Sequence, residues 1–316
     1  MKSSFFLSIL FSACASIMPA QTPTPESTKP KDIAMTEVKW EKVAENLVFP
    51  EGPAWDGKEA LFFSNCHGGY ISRLDAKGCD VWLRAQEDPF LFGKTNGMTF
   101  GKDGALYACD FGRKAIVRFD VAKKKSEIYG ELTGEKKLNG PNDLAFDAKG
   151  NLYFSDPGKY SRTERDGGVY RIAAGTKRLE LMKDDLGFPN GLCFTKDGKT
   201  LFLAESAFER VLKINVLEDG LLSETTVFAD MPGGDPDGMA LDVEGNLYVA
   251  HFGGHSIRVY APDGTLTKKI NVPGKKPSNV EFAGPDLKTL YVTEDDLNQV
   301  HRTQMDVAGE RLHWSP

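Results

Sequence analysis

A six-fold internal repeat dominates this sequence. Each unit opens with Pro or Thr followed by a polar residue, and a Leu-aromatic pair follows about ten residues later. The pairs are Leu61-Phe62, Leu106-Tyr107, Leu152-Tyr153, Leu201-Phe202, Leu247-Tyr248 and Leu290-Tyr291. The opening polar residues recur at intervals of 41 to 48 residues and are Glu51, Asn96, Asn142, Asn190, Asp237 and Ser278. A repeat of this length indicates one small supersecondary unit copied along the chain.

Each unit has the pattern of a small antiparallel sheet. Turn residues such as Asp56-Gly57 and Gly245-Asn246 separate its two segments, and a further short β-like run follows the Leu-aromatic pair. Residues 37–316 divide into six units of about 47 residues. This spacing predicts an all-β, six-bladed β-propeller with the Leu-aromatic pairs in its core. A solenoid would show distinct capping repeats, whereas the six units here are alike.

Propeller topology predicts where the opening polar residues meet. The first strand of each unit lies innermost and begins at one face, so the six side chains should converge at that end of the central channel. The last residues of the second strands should form a supporting polar layer of Asn65, Asp110, Asp156, Glu205, His251 and Glu294. Converging carboxylates in a desolvated channel repel unless a cation neutralises them, and an oxygen-only donor set suits a hard cation. Alternatively, these residues cap strand ends and form local hydrogen bonds.

Four motifs in order resemble the gluconolactonase/regucalcin (senescence-marker-protein) family over residues 46 to about 300. They are Pro50-Glu51-Gly52-Pro53, Pro141-Asn142-Asp143, Pro189-Asn190-Gly191-Leu192 and Pro236-Asp237-Gly238-Met239. The resemblance implies a six-bladed propeller with one catalytic divalent ion, held by Glu51, Asn190 and Asp237. It also implies that Asn142 lies at the ion or the substrate and that Asp237 accepts a proton. Regucalcin-type members carry Arg where this chain has Gly140, so the segment looks more like that of bacterial gluconolactonases.

The function that the resemblance implies is the opening of a sugar lactone to its aldonic acid. The predicted metal ligands are Glu51, Asn142, Asn190 and Asp237, and Asp237 would also take a proton from the attacking water. Ca²⁺ is the first choice of cation, with Mg²⁺, Mn²⁺ and Zn²⁺ as alternatives. The predicted substrate contacts are Asn96, Asn142, Asp156 and Arg162, the last on a loop at Gly158 to Gly168.

Three other functions remain open from the sequence. A metal-dependent phosphotriesterase or other esterase would use the same residues, as the diisopropylfluorophosphatase relatives of the family do. A binding propeller of the cell envelope would have no catalytic need for Asn142 or Asp237. A condensing enzyme like strictosidine synthase would share the fold but not the metal ligand set.

The N-terminus indicates export. Residues 1–20 have the basic start, short apolar run and small residues of a signal peptide. An alternative is a lipoprotein signal that ends before Cys14, with a lipid anchor on that cysteine. Residues 21–36 are rich in Pro, Thr, Ser and Lys and predict a flexible linker. We therefore expect a periplasmic or secreted protein, anchored if Cys14 is lipidated.

Charge and composition limit the classes of molecule that the protein is expected to bind. A net charge of −6 gives no electrostatic basis for nucleic-acid binding, and no apolar run reaches the roughly 18 residues of a membrane span. The expected partner is a small lactone, and the expected assembly is a monomer or dimer. Four further cysteines show no metal spacing and are predicted to be small buried thiols: Cys66, Cys79, Cys109 and Cys193.

Overall fold

The structure, a computed structural model, describes Met1 and residues 33–87, 92–130 and 137–313. The predicted signal peptide beyond Met1, the lipidation alternative at Cys14 and most of the predicted linker lie outside these residues and stay predictions. Two short 3₁₀ turns occur at Ala85–Glu87 and Ser206–Phe208. No helix in the described ranges is long and apolar enough to cross a membrane.

Short strands account for nearly all the regular structure of the described residues. In chain order they are β1 (Met35–Thr36), β2 (Glu41–Ala44), β3 (Pro50–Trp55), β4 (Leu61–Asn65), β5 (Tyr70–Asp75), β6 (Gly78–Arg84), β7 (Thr95–Phe100), β8 (Leu106–Asp110), β9 (Ala115–Asp120), β10 (Lys125–Ile128), β11 (Leu144–Phe146), β12 (Leu152–Asp156), β13 (Gly167–Ile172), β14 (Leu179–Leu186), β15 (Pro189–Phe194), β16 (Thr200–Glu205), β17 (Arg210–Val216), β18 (Leu222–Asp230), β19 (Asp235–Leu241), β20 (Leu247–Phe252), β21 (Ser256–Tyr260), β22 (Leu266–Asn271), β23 (Pro277–Ala283), β24 (Thr289–Glu294) and β25 (Gln299–Gln304).

These strands form six antiparallel sheets, the blades of a propeller. Each sheet follows chain order from an innermost strand outward, except that β1 and β2 form the outermost strands of the fifth and sixth sheets. The innermost strands are β3, β7, β11, β15, β19 and β23. Each innermost strand contacts the next, and β23 contacts β3, so the ring is closed. The six-bladed β-propeller that the repeat predicts is therefore confirmed.

The last blade is completed by the N-terminal part of the chain. Strand β2 pairs antiparallel with β25, so the fourth strand of the sixth blade comes from before the first blade. The paired residues Glu41 and Arg302 add a two-fold carboxylate–guanidinium contact, with both N–O distances 2.9 Å. Strand β1, in the last residues of the predicted linker, adds a parallel fifth strand beside β22.

The core lies between adjacent blades. All twelve members of the Leu-aromatic pairs are buried, as predicted. Among the described residues, six apolar clusters fill the six interfaces between neighbouring blades, with residues of both blades in each. A fully buried Leu or Phe contributes about 1.5–3 kcal/mol, so the repeated pair carries much of the stability.

The four cysteines of the propeller are free thiols. Cys66, Cys109 and Cys193 are buried as predicted, and Cys79 is partly buried. Burial raises the pKa of the Cys79 thiol to about 11, which keeps the group protonated.

Candidate functional site

A cavity of about 260 Å³, here called the mouth, opens where the innermost strands begin. Its walls come from residues at or before the starts of innermost strands and from residues that follow second strands. They include Phe49, Cys66, Asn96, Phe111, Asn142 and Phe188. This is the end of the channel where the topology predicts that the opening polar residues converge.

The six opening polar residues, here called the ring residues, stand at irregular points in or just before the innermost strands. Glu51, Asn190 and Asp237 are buried, whereas Asn96 and Asn142 are half-buried and face the mouth. In five of the six blades, the pairing between first and second strands shifts register here. Such irregularities re-aim side chains that regular pleating would turn into the blade interface.

Ser278 has the phase of a ring residue but serves the blade contact. Its hydroxyl donates to the Pro50 carbonyl at 2.9 Å and shares a 2.8 Å hydrogen bond with Thr293. The bond to Pro50 joins the sixth blade to the first, and the bond to Thr293 lies within the sixth blade. Ser278 therefore acts here as a local hydrogen-bonding residue, as in the alternative considered for the whole ring.

Glu51 and Asp237 are the two buried carboxylates of the predicted ligand set. The Glu51 Oε2 atom accepts the Gly52 N–H at 2.8 Å and an Asn279 amide N–H at 3.2 Å. Burial and the charge of Asp143 raise the pKa of Glu51 to about 8. Burial, and next the charge of Glu51, raise the pKa of Asp237 well above its usual range. The two carboxylates therefore repel each other in a poorly solvated place.

The donor chemistry of these residues fits a hard divalent cation. All the predicted ligand atoms are carboxylate or carboxamide oxygens, and a cation would relieve the repulsion between Glu51 and Asp237. The Asn96 Oδ1 atom is buried and finds no hydrogen-bond partner in the described part of the chain. Across residues 33–87, 92–130 and 137–313, no three His, Cys, Asp or Glu side chains could hold a metal by themselves. A bound cation would thus need the carboxamides of Asn142 and Asn190 as well.

The second polar layer supports the loops that lead into the innermost strands. Asp110 accepts backbone N–H groups of Gly93 and Lys94 at 2.5 and 2.9 Å. Asp156 does the same for Asn139 and Gly140, at 2.8 and 2.7 Å. The supporting role is thus confirmed for these carboxylates. A substrate contact by Asp156, which is 1 % exposed, stays a prediction.

The loop after β12 lies beside the mouth and is tied to the next two blades. Tyr160 donates to the Asp235 carboxylate at 2.8 Å, and its ring meets the edge of Phe188 at the mouth. Arg162 donates to the Ala207 carbonyl at 2.5 Å and pairs with Glu209 at 3.2 Å. Its side chain is still 59 % exposed, so a substrate contact by Arg162 stays a prediction.

Three polar residues near the ring were not predicted from the sequence. Asp143 and Asn279 each follow a ring position directly and point into the channel, where the other repeats carry glycine. Asp295 follows β24 and is buried with both carboxylate oxygens free of hydrogen bonds to described residues. The polar residue in place of glycine is the signal that could have identified the first two.

Comparisons with known proteins agree with the family resemblance of the four sequence motifs. A family model described as the SMP-30/gluconolactonase/LRE-like region matches residues 49–295. The gluconolactonase of Zymomonas mobilis is 31 % identical over 284 residues, which cover 80 % of this chain and 78 % of that protein. The diisopropyl-fluorophosphatase of Loligo vulgaris is 28 % identical, with 89 % of this chain and 97 % of that protein covered.

A solved structure gives the same result. That of a gluconolactonase from Xanthomonas campestris superposes with a TM-score of 0.74 and 26 % identity, covering 93 % of this chain and 99 % of the other. The family model spans more than half of the chain and includes all four predicted metal ligands. The chain therefore belongs to the SMP-30/gluconolactonase/LRE-like family.

Proposed function

We propose that this protein is a divalent-metal-dependent lactonase that opens a sugar lactone to the aldonic acid. The observation that carries the proposal is the pair of buried, mutually repelling carboxylates, Glu51 and Asp237, next to an open mouth lined by Asn96 and Asn142. The similarity to a gluconolactonase supports the choice of substrate class.

The proposed chemistry assigns a role to each residue. Glu51, Asn142, Asn190 and Asp237 would hold the cation. When bound, the cation would polarise the ester carbonyl and stabilise the negative charge that develops on its oxygen. Asp237 accepts a proton from the attacking water, whose oxygen bonds to the carbonyl carbon. The ring C–O bond then breaks, and the ring oxygen takes the proton from Asp237 to become a hydroxyl group of the aldonic acid. The carboxamides of Asn96 and Asn142 line the mouth, where they can bind the hydroxyl groups of a sugar lactone.

A second candidate activity is hydrolysis of a phosphotriester or fluorophosphate. The similarity to diisopropyl-fluorophosphatase over 97 % of that protein favours it specifically. Both reactions need a polarised oxygen and an activated water, so the same residues could serve either one. The substrate, rather than the site, distinguishes the two proposals.

A pH-stat assay of the purified chain with Ca²⁺ tests the proposal. Glucono-δ-lactone, a pentonolactone and diisopropyl fluorophosphate are compared for acid release. We expect lactone hydrolysis that Asp237→Asn lowers by about 100-fold or more, because the variant loses the proton acceptor and a charged metal ligand. Asp230→Asn, at an exposed outer-strand position, is the matched control and should keep full activity.

Each outcome of this assay is decisive. Turnover of the fluorophosphate alone would replace the lactonase proposal with the second candidate. No turnover of any of the three, by protein that binds Ca²⁺, would contradict both and favour a binding propeller. Full activity of Asp237→Asn would contradict its role as proton acceptor.

A further inference from the structure

Asp295 is a buried carboxylate at the end of β24 that the proposed chemistry does not use. It follows the last residue of β24, is 8 % exposed, and its backbone N–H donates to the Lys276 carbonyl at 3.0 Å. Both carboxylate oxygens are buried and find no hydrogen bond among the described residues. Burying a carboxylate without partners is costly, so a ligand that compensates it is expected.

The preceding residue shows what a structural carboxylate looks like at this place. Glu294 is fully buried, and its oxygens accept backbone N–H groups of Lys276, Asp296 and Leu297 at 2.7–3.1 Å. Glu294 therefore fixes the surrounding loop. Asp295 takes no part in this hydrogen bonding, so its oxygens remain available for a different contact.

The charges near Asp295 identify the kind of contact. Burial and then the charges of Glu51 and Glu294 raise the pKa of Asp295 to about 9, against a weaker opposing effect of Lys276. Asp295 in turn raises the pKa of Asp237, after burial and Glu51. The Lys276 ammonium lies over the Phe252 ring, 5.6 Å from its centre, and forms no hydrogen bond to the Asp295 carboxylate. Strand β24, which Asp295 follows, contacts β3, which carries Glu51. Three carboxylates thus act on one another, and no cation among the described residues forms a hydrogen bond to Asp295.

We propose that Asp295 supplies a third negative charge to the cation centre and raises its affinity for divalent ions. This inference rests on the proposed function, because it assumes a cation held by Glu51 and Asp237. The three carboxylates do not form a ligand group by themselves, so Asp295 acts on the ion through its charge. A negative charge close to a bound divalent cation attracts it, so removing that charge weakens cation binding.

Calcium titration calorimetry on the chelator-treated full chain tests the proposal. Asp295→Asn keeps the shape and removes the charge, Asp295→Glu keeps the charge, and Asp296→Asn removes the exposed charge one residue away. We expect Asp295→Asn to raise the Kd for Ca²⁺ roughly tenfold or more. Asp295→Glu should retain more affinity than Asp295→Asn, and Asp296→Asn should change Kd by less than about twofold.

Thermal melting of the same proteins separates a charge effect from a packing effect. Metal-free Asp295→Asn should melt at or above the wild-type temperature, while its Ca²⁺-induced rise in Tm should be smaller. A lower metal-free Tm with unchanged Kd would overturn the proposal and make Asp295 structural. If the asparagine variant does not fold, Asp295→Ser replaces it in the same comparison.

Different experimental results would overturn this inference and the proposed function. Equal Kd values for wild type and Asp295→Asn, with lactone hydrolysis intact, would overturn the role of Asp295 alone. No Ca²⁺ binding by the wild type would overturn the cation centre and the role of Asp295 with it.

Discussion

At the residue scale, the position after each ring residue decides what fills the channel. In four repeats this position is glycine, because the next innermost strand leaves no room for a side chain. A Cβ on Gly191 would lie 2.3 Å from the Asp237 carbonyl oxygen. The other two repeats place Asp143 and Asn279 there, and Asn279 contacts Glu51. These two exceptions place polar side chains in two of the six repeats and make the channel below the ring asymmetric.

Glu281 gives a prediction about pH and stability. It lies in β23 and is buried in the lower channel, the part of the central channel below the ring residues. Burial, and next the charge of Asp143, raise its pKa to about 8. The unfolded chain ionises this group near pH 4.3, so the folded state loses stability as pH rises from there to about 8. Glu281→Gln should therefore stabilise the protein at pH 8 by roughly 1–3 kcal/mol.

Urea unfolding at two pH values measures this effect. Near pH 4 the carboxyl group is mostly protonated in both states, so the variant and the wild type should unfold at similar urea concentrations. If the unfolding free energies of Glu281→Gln and the wild type differ by the same amount at pH 4 and pH 8, the raised pKa of Glu281 is contradicted.

At the element scale, β2 is what closes the ring of blades. It pairs with β25, and Ala44 packs in the cluster that joins the sixth blade to the first, with Leu61, Phe63 and Tyr291. The first and last blades are therefore held together by both ends of the chain. Strand β1 only extends the edge of the fifth blade.

Truncation distinguishes these two strands. A chain that starts at Leu47 lacks β2 and should lose about 3 kcal/mol or more of unfolding free energy, from lost hydrogen bonds and apolar burial. A chain that starts at Val38 lacks β1 only and serves as the matched control. Chemical unfolding of the two chains checks this, and equal stabilities would contradict the closing role of β2.

The sequence predicts those elements that repeat and misses those that occur once. Six copies of a strand pair give enough signal to predict the propeller and the phase of Glu51 and Asp237. Strand β2 has a single copy, and its partner β25 lies more than 250 residues away, so no local pattern marks it. Asp295 has a carboxylate counterpart in no other repeat, and its lack of partners is a property of the folded structure alone.

At the scale of the whole molecule, the two ends of the channel differ. The mouth is open, whereas a cavity of about 60 Å³ in the lower channel is lined in part by residues 310–313 near the C-terminus. His313 bonds to the Thr195 carbonyl at 2.9 Å, and Glu310 pairs with Lys196 at 3.5 Å, which fixes this segment against the fourth blade. A substrate that reaches Asp237 is therefore expected to enter through the mouth.

Metal removal and restoration, with glucono-δ-lactone as substrate, is the most direct test of the proposed function. The proposed function requires one divalent cation, held by Glu51, Asp237 and the carboxamides, for lactone opening. We predict that chelation abolishes hydrolysis and that activity returns in full at one equivalent of Ca²⁺ per chain. Lactone hydrolysis at the full rate by protein without bound metal would contradict this requirement.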